Sequence, residues 1–124
     1  MGKILIIDDE PLTTEMLSTF LRIIGHESVE AFTCAEARAK LLYTTPDAIL
    51  LDIMLPDMNG IEMCRELRAT PETRQMPIIM VSAYAPPLID QALAAGATGY
   101  LSKPISLNVL RSELLNVGIV PART

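Results

Sequence analysis

Lys3-Ile4-Leu5-Ile6-Ile7-Asp8-Asp9-Glu10 runs four apolar residues straight into three acidic ones. A short, unbroken apolar run fits a strand buried on both faces, which is the habit of a parallel sheet. A second run, Ala48-Ile49-Leu50-Leu51, ends the same way, in Asp52. Further on, Pro77–Ala83 reads as another strand, with Ser82 at its polar end, and Thr98–Ser102 as the last strand, leading into Lys103-Pro104. Four strand ends therefore carry groups suited to a metal or a phosphate.

Helical patterns separate these strands. The spacing predicts a helix over Pro11–Gly25, with Leu12, Met16, Phe20, Leu21 and Ile24 near one face and Gly25 as its stop. Ser28–Phe32 reads as a short, more polar strand at a sheet edge. Thr33 and Glu36 have the spacing of a capping box and open a helix running to about Tyr43. Ala48–Met54 is the most continuously apolar strand, as expected for the sheet centre. A helix over Gly60–Ala69 buries Ile61, Cys64 and Leu67, and another over Pro87–Ala95 is closed by Gly96. Ser106 caps a final helix through about Val117. The sum is (βα)5, with helices to cover both faces of a parallel sheet. One domain is expected over 1–124, without repeat or linker and with a frayed tail at 118–124.

Composition excludes several classes. Half of the 124 residues are hydrophobic and a fifth are charged, which separates the chain from disordered sequences. No apolar run approaches the roughly eighteen residues that cross a bilayer. Met1-Gly2-Lys3-Ile4 enters a strand directly, so no signal peptide is read. Gly2 is followed four residues later by Ile6 and not by the hydroxyl residue of a myristoylation signal. The expectation is a cytoplasmic protein with no membrane partner. The formal net charge of −5 argues against direct nucleic-acid contact by this chain, while leaving room for a DNA-binding domain in a longer parent. Cys34 and Cys64 have no metal-type spacing and form no disulfide framework; Cys34 reads as an inert thiol and Cys64 as core. His26 reads as exposed and idle after Gly25, and Asp57 as a turn residue before Asn59-Gly60.

In an open parallel sheet, ligands collect beyond the carboxyl ends of the strands, where the strand order reverses. Asp8, Asp9, Asp52, Ser82 and Lys103 all fall at or just after such ends. Two carboxylates about 5 Å apart repel by roughly 3 kcal/mol at an effective dielectric of about 20. They must protonate or share a cation. Oxygen ligands without histidine or thiolate favour a hard ion, best Mg2+, with Mn2+ as the alternative. Lys103 and Ser82 add what metal binding alone would not need: a point charge and a hydroxyl for phosphoryl oxygens. Asp52, alone at the end of the central strand, is placed to be a nucleophile that forms an aspartyl phosphate, with Asp8 and Asp9 as metal holders. Glu10 ranks below them, as a neighbour of the metal.

The chain resembles the receiver domain of two-component response regulators from about Lys3 to Val117. The resemblance rests on four motifs in order. They are Ile6-Ile7-Asp8-Asp9-Glu10-Pro11; Leu51-Asp52-Ile53-Met54-Leu55-Pro56-Asp57-Met58-Asn59-Gly60; Met80-Val81-Ser82-Ala83; and Ala95-Gly96-Ala97-Thr98-Gly99-Tyr100-Leu101-Ser102-Lys103-Pro104. It implies a flavodoxin-like sheet of order 2-1-3-4-5. It implies a switch, not an enzyme with a separate substrate: Asp52 takes phosphate from a sensor histidine kinase or a histidine phosphotransfer protein. Asp8, Asp9, Asp52 and the backbone carbonyl of Met54 would hold Mg2+, and Ser82, Ala83 and Lys103 the phosphate. Ser82 and Tyr100 match the switch positions, the Lys103–Pro104 bond is expected to be cis, and Met54 and Tyr84 flank access to the phosphate. A homodimer or an effector would use the face of the fourth helix, last strand and last helix. The segment from Ser82 to Gly96 departs from the family by being about one residue short and by containing Pro86-Pro87, which stiffens a connection expected to move.

Other readings have specific obstacles. A phosphate-independent interaction module on this fold usually lacks the acceptor aspartate, an acidic partner or the lysine. A phosphatase of the haloacid dehalogenase type places a second aspartate two residues after its nucleophile, where Met54 stands here. A flavodoxin needs a Thr/Gly-rich phosphate loop after the first strand, and none is present.

Overall fold

The structure, a computed structural model, describes residues 2–121. Ten elements alternate: β1 (Lys3–Ile7), α1 (Pro11–Ile24), β2 (Glu27–Ala31), α2 (Cys34–Leu41), β3 (Ala48–Asp52), α3 (Gly60–Ala69), β4 (Ile78–Ser82), α4 (Ile89–Ala94), β5 (Gly99–Ser102) and α5 (Leu107–Asn116). The strands form one parallel sheet in the order β2-β1-β3-β4-β5. This is the flavodoxin-like topology, and β3 at its centre is buried at every position.

The two-residue period of the strands sorts the core into two layers. Leu5, Ile7, Ile49, Leu51, Ile78 and Met80 pack with Ala37, Cys64, Leu67 and Ala92 from α2, α3 and α4. Ile4, Ile6, Leu50, Ile79 and Val81 pack with Leu17, Leu21, Leu110 and Leu114 from α1 and α5. Truncating a fully buried leucine such as Leu50 to alanine costs about 2–5 kcal/mol by lost burial and the cavity left behind. Strands apolar on both faces have interchangeable interiors, so their polar ends mark the register. Ile7 pairs with Leu51, and Asp8 and Asp52 therefore emerge side by side.

Several boundaries differ from expectation. β2 begins at Glu27, not Ser28, because the Glu27 amide donates to the Gly2 carbonyl (2.8 Å) and pairing starts one residue early. β3 ends at Asp52, since Met54 turns back to bridge Asn59. α4 starts at Ile89 and not at Pro87: Leu88 has a non-helical backbone (φ −93°, ψ 44°) and stands as the residue before the first turn. Thr33 accepts from the Glu36 amide (3.0 Å), but the Glu36 carboxylate pairs with Lys40 (3.6 Å).

α1 is rotated relative to the expected stripe. Its buried face is Thr14, Leu17, Leu21 and Ile24, while Leu12 is 81% exposed and Met16 and Phe20 flank the core. A buried threonine is tolerated there because its hydroxyl donates to the Glu10 carbonyl (2.9 Å). His26 is buried, not exposed. Neither ring nitrogen has a hydrogen-bond partner among the described residues, and Gly2 lies against the ring. Burial lowers its pKa against the opposing charge of Asp47. Within the tail expected to fray over 118–124, the Ile119 amide donates to the Leu114 carbonyl (2.8 Å), and Ile119 packs on the core. The rest of that tail, from 122 on, lies outside the described residues.

At the end of the sheet remote from Asp52, the Arg68 guanidinium ties together two loops, α3–β4 and α4–β5. It donates to the carbonyls of Thr73 (3.1 Å), Arg74 (3.1 Å), Met76 (2.6 Å) and Gly96 (2.8 Å) and to Thr98 Oγ1 (3.2 Å). Gly96 has φ 105°, and a Cβ there would lie 2.6 Å from Arg68 Cγ. No helix among the described residues is long and apolar enough to cross a membrane.

Candidate phosphate and metal site

β1 and β3 are neighbours whose connections run to opposite sides, so the crevice at the strand-order reversal opens above their carboxyl ends. Asp8, Asp9 and Asp52 each offer an oxygen there, all within 4.8 Å of one another. Asp8 and Asp52 are almost fully buried (1% and 4% exposed), and Asp9 is exposed. Lys103 Nζ reaches into the group from the β5 end, 2.9 Å from Asp8 Oδ2, 3.4 Å from Asp52 Oδ2 and 3.3 Å from Glu10 Oε1. The Lys103–Pro104 peptide is cis. The Lys103 amide donates to the Ser82 carbonyl (2.8 Å), which fixes its backbone to β4.

The two buried acidic residues are tied to the backbone around them. The Asp8 amide donates to the Ala31 carbonyl (3.0 Å), and Asp8 Oδ1 accepts from the Glu10 amide (2.9 Å). Asp52 Oδ1 accepts from the Met54 amide (3.3 Å). Asp8 Oδ2 is different: it has Lys103 as a charge neighbour, but no donor among the described residues meets it in hydrogen-bond geometry. A buried carboxylate oxygen without a donor, beside two further carboxylates, fits a cation ligand. The site's charge makes the same point. Burial first and the Asp8 charge second raise the Asp52 pKa to about 6, against the opposing pull of Lys103 and the Met54 amide. Burial pulls the Lys103 pKa down, yet its hydrogen bond to Asp8, the charges of Asp52 and Asp8 and its hydrogen bond to Glu10 outweigh this and raise it above the ordinary lysine value. One ammonium faces more negative charge than it can neutralise. The donor set is all oxygen, which suits Mg2+.

The remaining predicted residues lie on β4, on β5 and on the loops that follow β3 and β4. Ser82 is fully buried at the end of β4, one residue past the partner of Asp52, and its Oγ accepts from the Tyr84 amide (3.0 Å). Ala83 is exposed just beyond it. Met54 (60% exposed) and Tyr84 (40% exposed) stand on the two loops that follow β3 and β4. Tyr100 on β5 is half-buried against the α2–α4 layer, and its hydroxyl accepts from the Leu88 amide (3.1 Å).

Two contributors were not legible. Thr14 is buried beneath the acidic turn, its hydroxyl bonded to the Glu10 carbonyl. Asp57, expected as a turn residue, reaches the start of α2, with Oδ1 on the Cys34 amide and Oδ2 on the Ala35 amide (both 3.0 Å). No local pattern signals a cap supplied from that distance. Cys34 is buried, and burial together with Asp57 pushes its pKa up to about 12, so this thiol is not a nucleophile.

Fold and site together define a doubly wound parallel α/β domain with an acidic, cation-seeking centre at its switch point. The family model described as response regulator receiver domain matches residues 4–115. The chain therefore belongs to the response regulator receiver family. It is 40% identical over 116 residues to the phosphate regulon transcriptional regulatory protein PhoB of Pseudomonas aeruginosa, covering 92% of this chain and 51% of that protein. It is 34% identical to the DNA-binding dual master transcriptional regulator RpaA of a Synechocystis species, covering 92% and 48%. Among solved structures it matches the receiver domain of the sensor histidine kinase PA1611 from Pseudomonas aeruginosa, described with magnesium coordinated in its active-site cleft. That match has a TM-score of 0.85 and 30% identity and covers 95% of this chain and 99% of that one.

Receiver domains are signalling domains of two-component systems that interact with histidine kinases or phosphotransfer proteins, and Mg2+-dependent phosphorylation on aspartate is general among them. The chain spans about half the length of the curated relatives it matches. The expectation of no nucleic-acid partner needs correcting at this level. Relatives in the family are named as transcriptional and DNA-binding regulators, so the net charge of this stretch does not exclude a DNA-directed output.

Proposed function

We propose that this chain is a phosphoryl-accepting switch in which Asp52 takes the phosphoryl group of a phosphohistidine. The observation that carries this reading is the convergence of Asp8, Asp9 and Asp52 within 4.8 Å, with Lys103 between them. One Asp52 carboxylate oxygen attacks phosphorus as the P–N bond breaks, and the electron pair leaves on the imidazole nitrogen. Asp8, Asp9, Asp52 and the Met54 carbonyl would hold Mg2+ (or Mn2+), which when bound draws charge from the phosphoryl oxygens. Lys103 pairs with a second oxygen, and Ser82, released from the Tyr84 amide, donates to a third, with Ala83 alongside. No separate substrate is turned over.

The new negative charge would bias two states. Ser82 moving toward the phosphate frees the Tyr84 amide, and Tyr100 turning inward gives up the Leu88 amide at the start of α4. α4 is six residues long with no side-chain cap, which supports it as the element that responds. Exposed Ile89 and Leu93 on α4 and Val109 on α5 support this face as the one that changes partner, whether a second copy or an effector. Tyr84 borders the approach of water to the phosphate, so Tyr84→Ala should shorten the lifetime of the phosphorylated state; equal decay rates would dispose of that role.

Incubation with acetyl phosphate and Mg2+, followed by intact-mass measurement, tests the whole reading. Wild type should gain one phosphoryl group, and Asp52→Asn and a chelated control none. A folded wild type that gains no mass would demote the chain to an interaction module that works without phosphate.

A further inference from the structure

The loop that would supply the Met54 carbonyl runs from Ile53 to Asn59, and its base is closed. The Gly60 amide donates to the Ile53 carbonyl (2.7 Å), Met54 bridges Asn59, and Asn59 Oδ1 caps α3 at the Ile61 amide (2.7 Å). Its tip, Pro56-Asp57, is exposed. What holds the tip is α2. Asp57 accepts from the amides of Cys34 and Ala35, the first two helical residues, with one carboxylate oxygen for each. Thr33 takes the Glu36 amide, and the Ala37 amide closes on the Thr33 carbonyl (3.0 Å). The free amides of the first turn are thus shared between a local cap, Thr33, and a distant one, Asp57. The two amides keep the exposed Asp57 carboxyl below its ordinary pKa, which matches an anion at the positive end of a helix. Met58, the next residue, receives Arg38 Nη2 on its sulfur (3.3 Å), a second tie from α2 to the same loop.

A cap of this kind is not needed to form α2, because Thr33 already marks its start. We infer that Asp57 is a positioning residue for the metal site: by gripping the α2 amino end it fixes the loop that presents the Met54 carbonyl beside Asp8 and Asp52. The inference rests on the reading of Met54 as a metal ligand. It gives α2, which contributes none of the clustered carboxylates, a part in setting cation affinity.

Mg2+ titration by calorimetry, paired with thermal melts in chelator, separates this role from simple helix stabilisation. Asp57→Ala should weaken Mg2+ about tenfold, in the range seen when partners of metal ligands are removed. Thr33→Ala removes the other cap of the same helix without touching the loop; it should lower Tm comparably and leave the Mg2+ Kd unchanged. If Asp57→Ala does not fold, Asp57→Asn, which keeps an oxygen for one amide, carries the test with a smaller rise in Kd. An unchanged Kd in the Asp57 variants, or an equal rise in Thr33→Ala, would overturn the inference while leaving the metal site intact. Absence of Mg2+ binding in wild type would instead overturn the metal reading itself, and this inference with it.

Discussion

The acidic floor of the site and the segment leading from Ser82 to α4 share the carboxyl end of the sheet and are built in opposite ways. The floor is fixed many times over. Asp8 is bonded through its own amide and a carboxylate oxygen, Asp52 sits in the fully buried central strand, and the following loop is closed at its base and gripped at its tip. The other side has an exposed, proline-rich stretch and a six-residue helix. Its side-chain ties are single bonds, Tyr84 amide to Ser82 and Leu88 amide to Tyr100. Preorganisation belongs where a cation and a nucleophile must be aligned, and weak tethers belong where an element has to move. The difference assigns holding to one half and responding to the other.

The harshest way to break the floor is Gly60→Ala. A Cβ at residue 60 would lie 1.9 Å from the Asp52 carbonyl oxygen, a backbone atom that cannot step aside. A loss of at least about 3 kcal/mol in urea unfolding is expected, or failure to fold. A stable Gly60→Ala variant would show the floor to be more pliant than described.

The charge on the floor provides the next test, in metal-free protein. The Asp52 pKa is raised from 3.8 to about 6, so between those values the native state keeps a proton that the unfolded chain has lost. Stability therefore falls as pH rises through that window and stays reduced above it. Asp52→Asn removes the penalty: it should match wild type near pH 4 and exceed it by at most about 3 kcal/mol above pH 6. Saturating Mg2+ should narrow the gap by stabilising wild type, by about 2.7 kcal/mol at a hundredfold excess over Kd. A constant difference across pH would refute the burial-and-repulsion account.

The smallest effect belongs to the responding side. Tyr100→Phe deletes the acceptor of the Leu88 amide, at a cost of about 1 kcal/mol. Amide exchange should quicken in α4 and not in α1 or α3. Uniform acceleration would mean that the two halves are not independently held.

Much of this was legible because it is local. Apolar runs ending in Asp8, Asp52, Ser82 and Lys103 placed the strands and pointed to one convergent centre, while the strand order came only from the resemblance to receiver domains. What escaped depends on contacts between distant segments. The buried face of α1 is set by its packing on α5 and β1, and it includes Thr14, a residue that hydropathy would leave outside. His26 reads as polar and free, but Gly2 covers it. Asp57 has the local chemistry of a turn, and its cap lies 23 positions away in the chain.

Arg68 carries a consequence for how such a chain can vary. Its side chain occupies the space that any larger residue at 96 would need, and it supplies the hydrogen bonds that several loop carbonyls would otherwise lack. Neither position is free to drift alone. A lineage that acquired bulk at 96 would have to shorten residue 68 and find new donors for Met76 and its neighbours. The pair should be inherited together or replaced together.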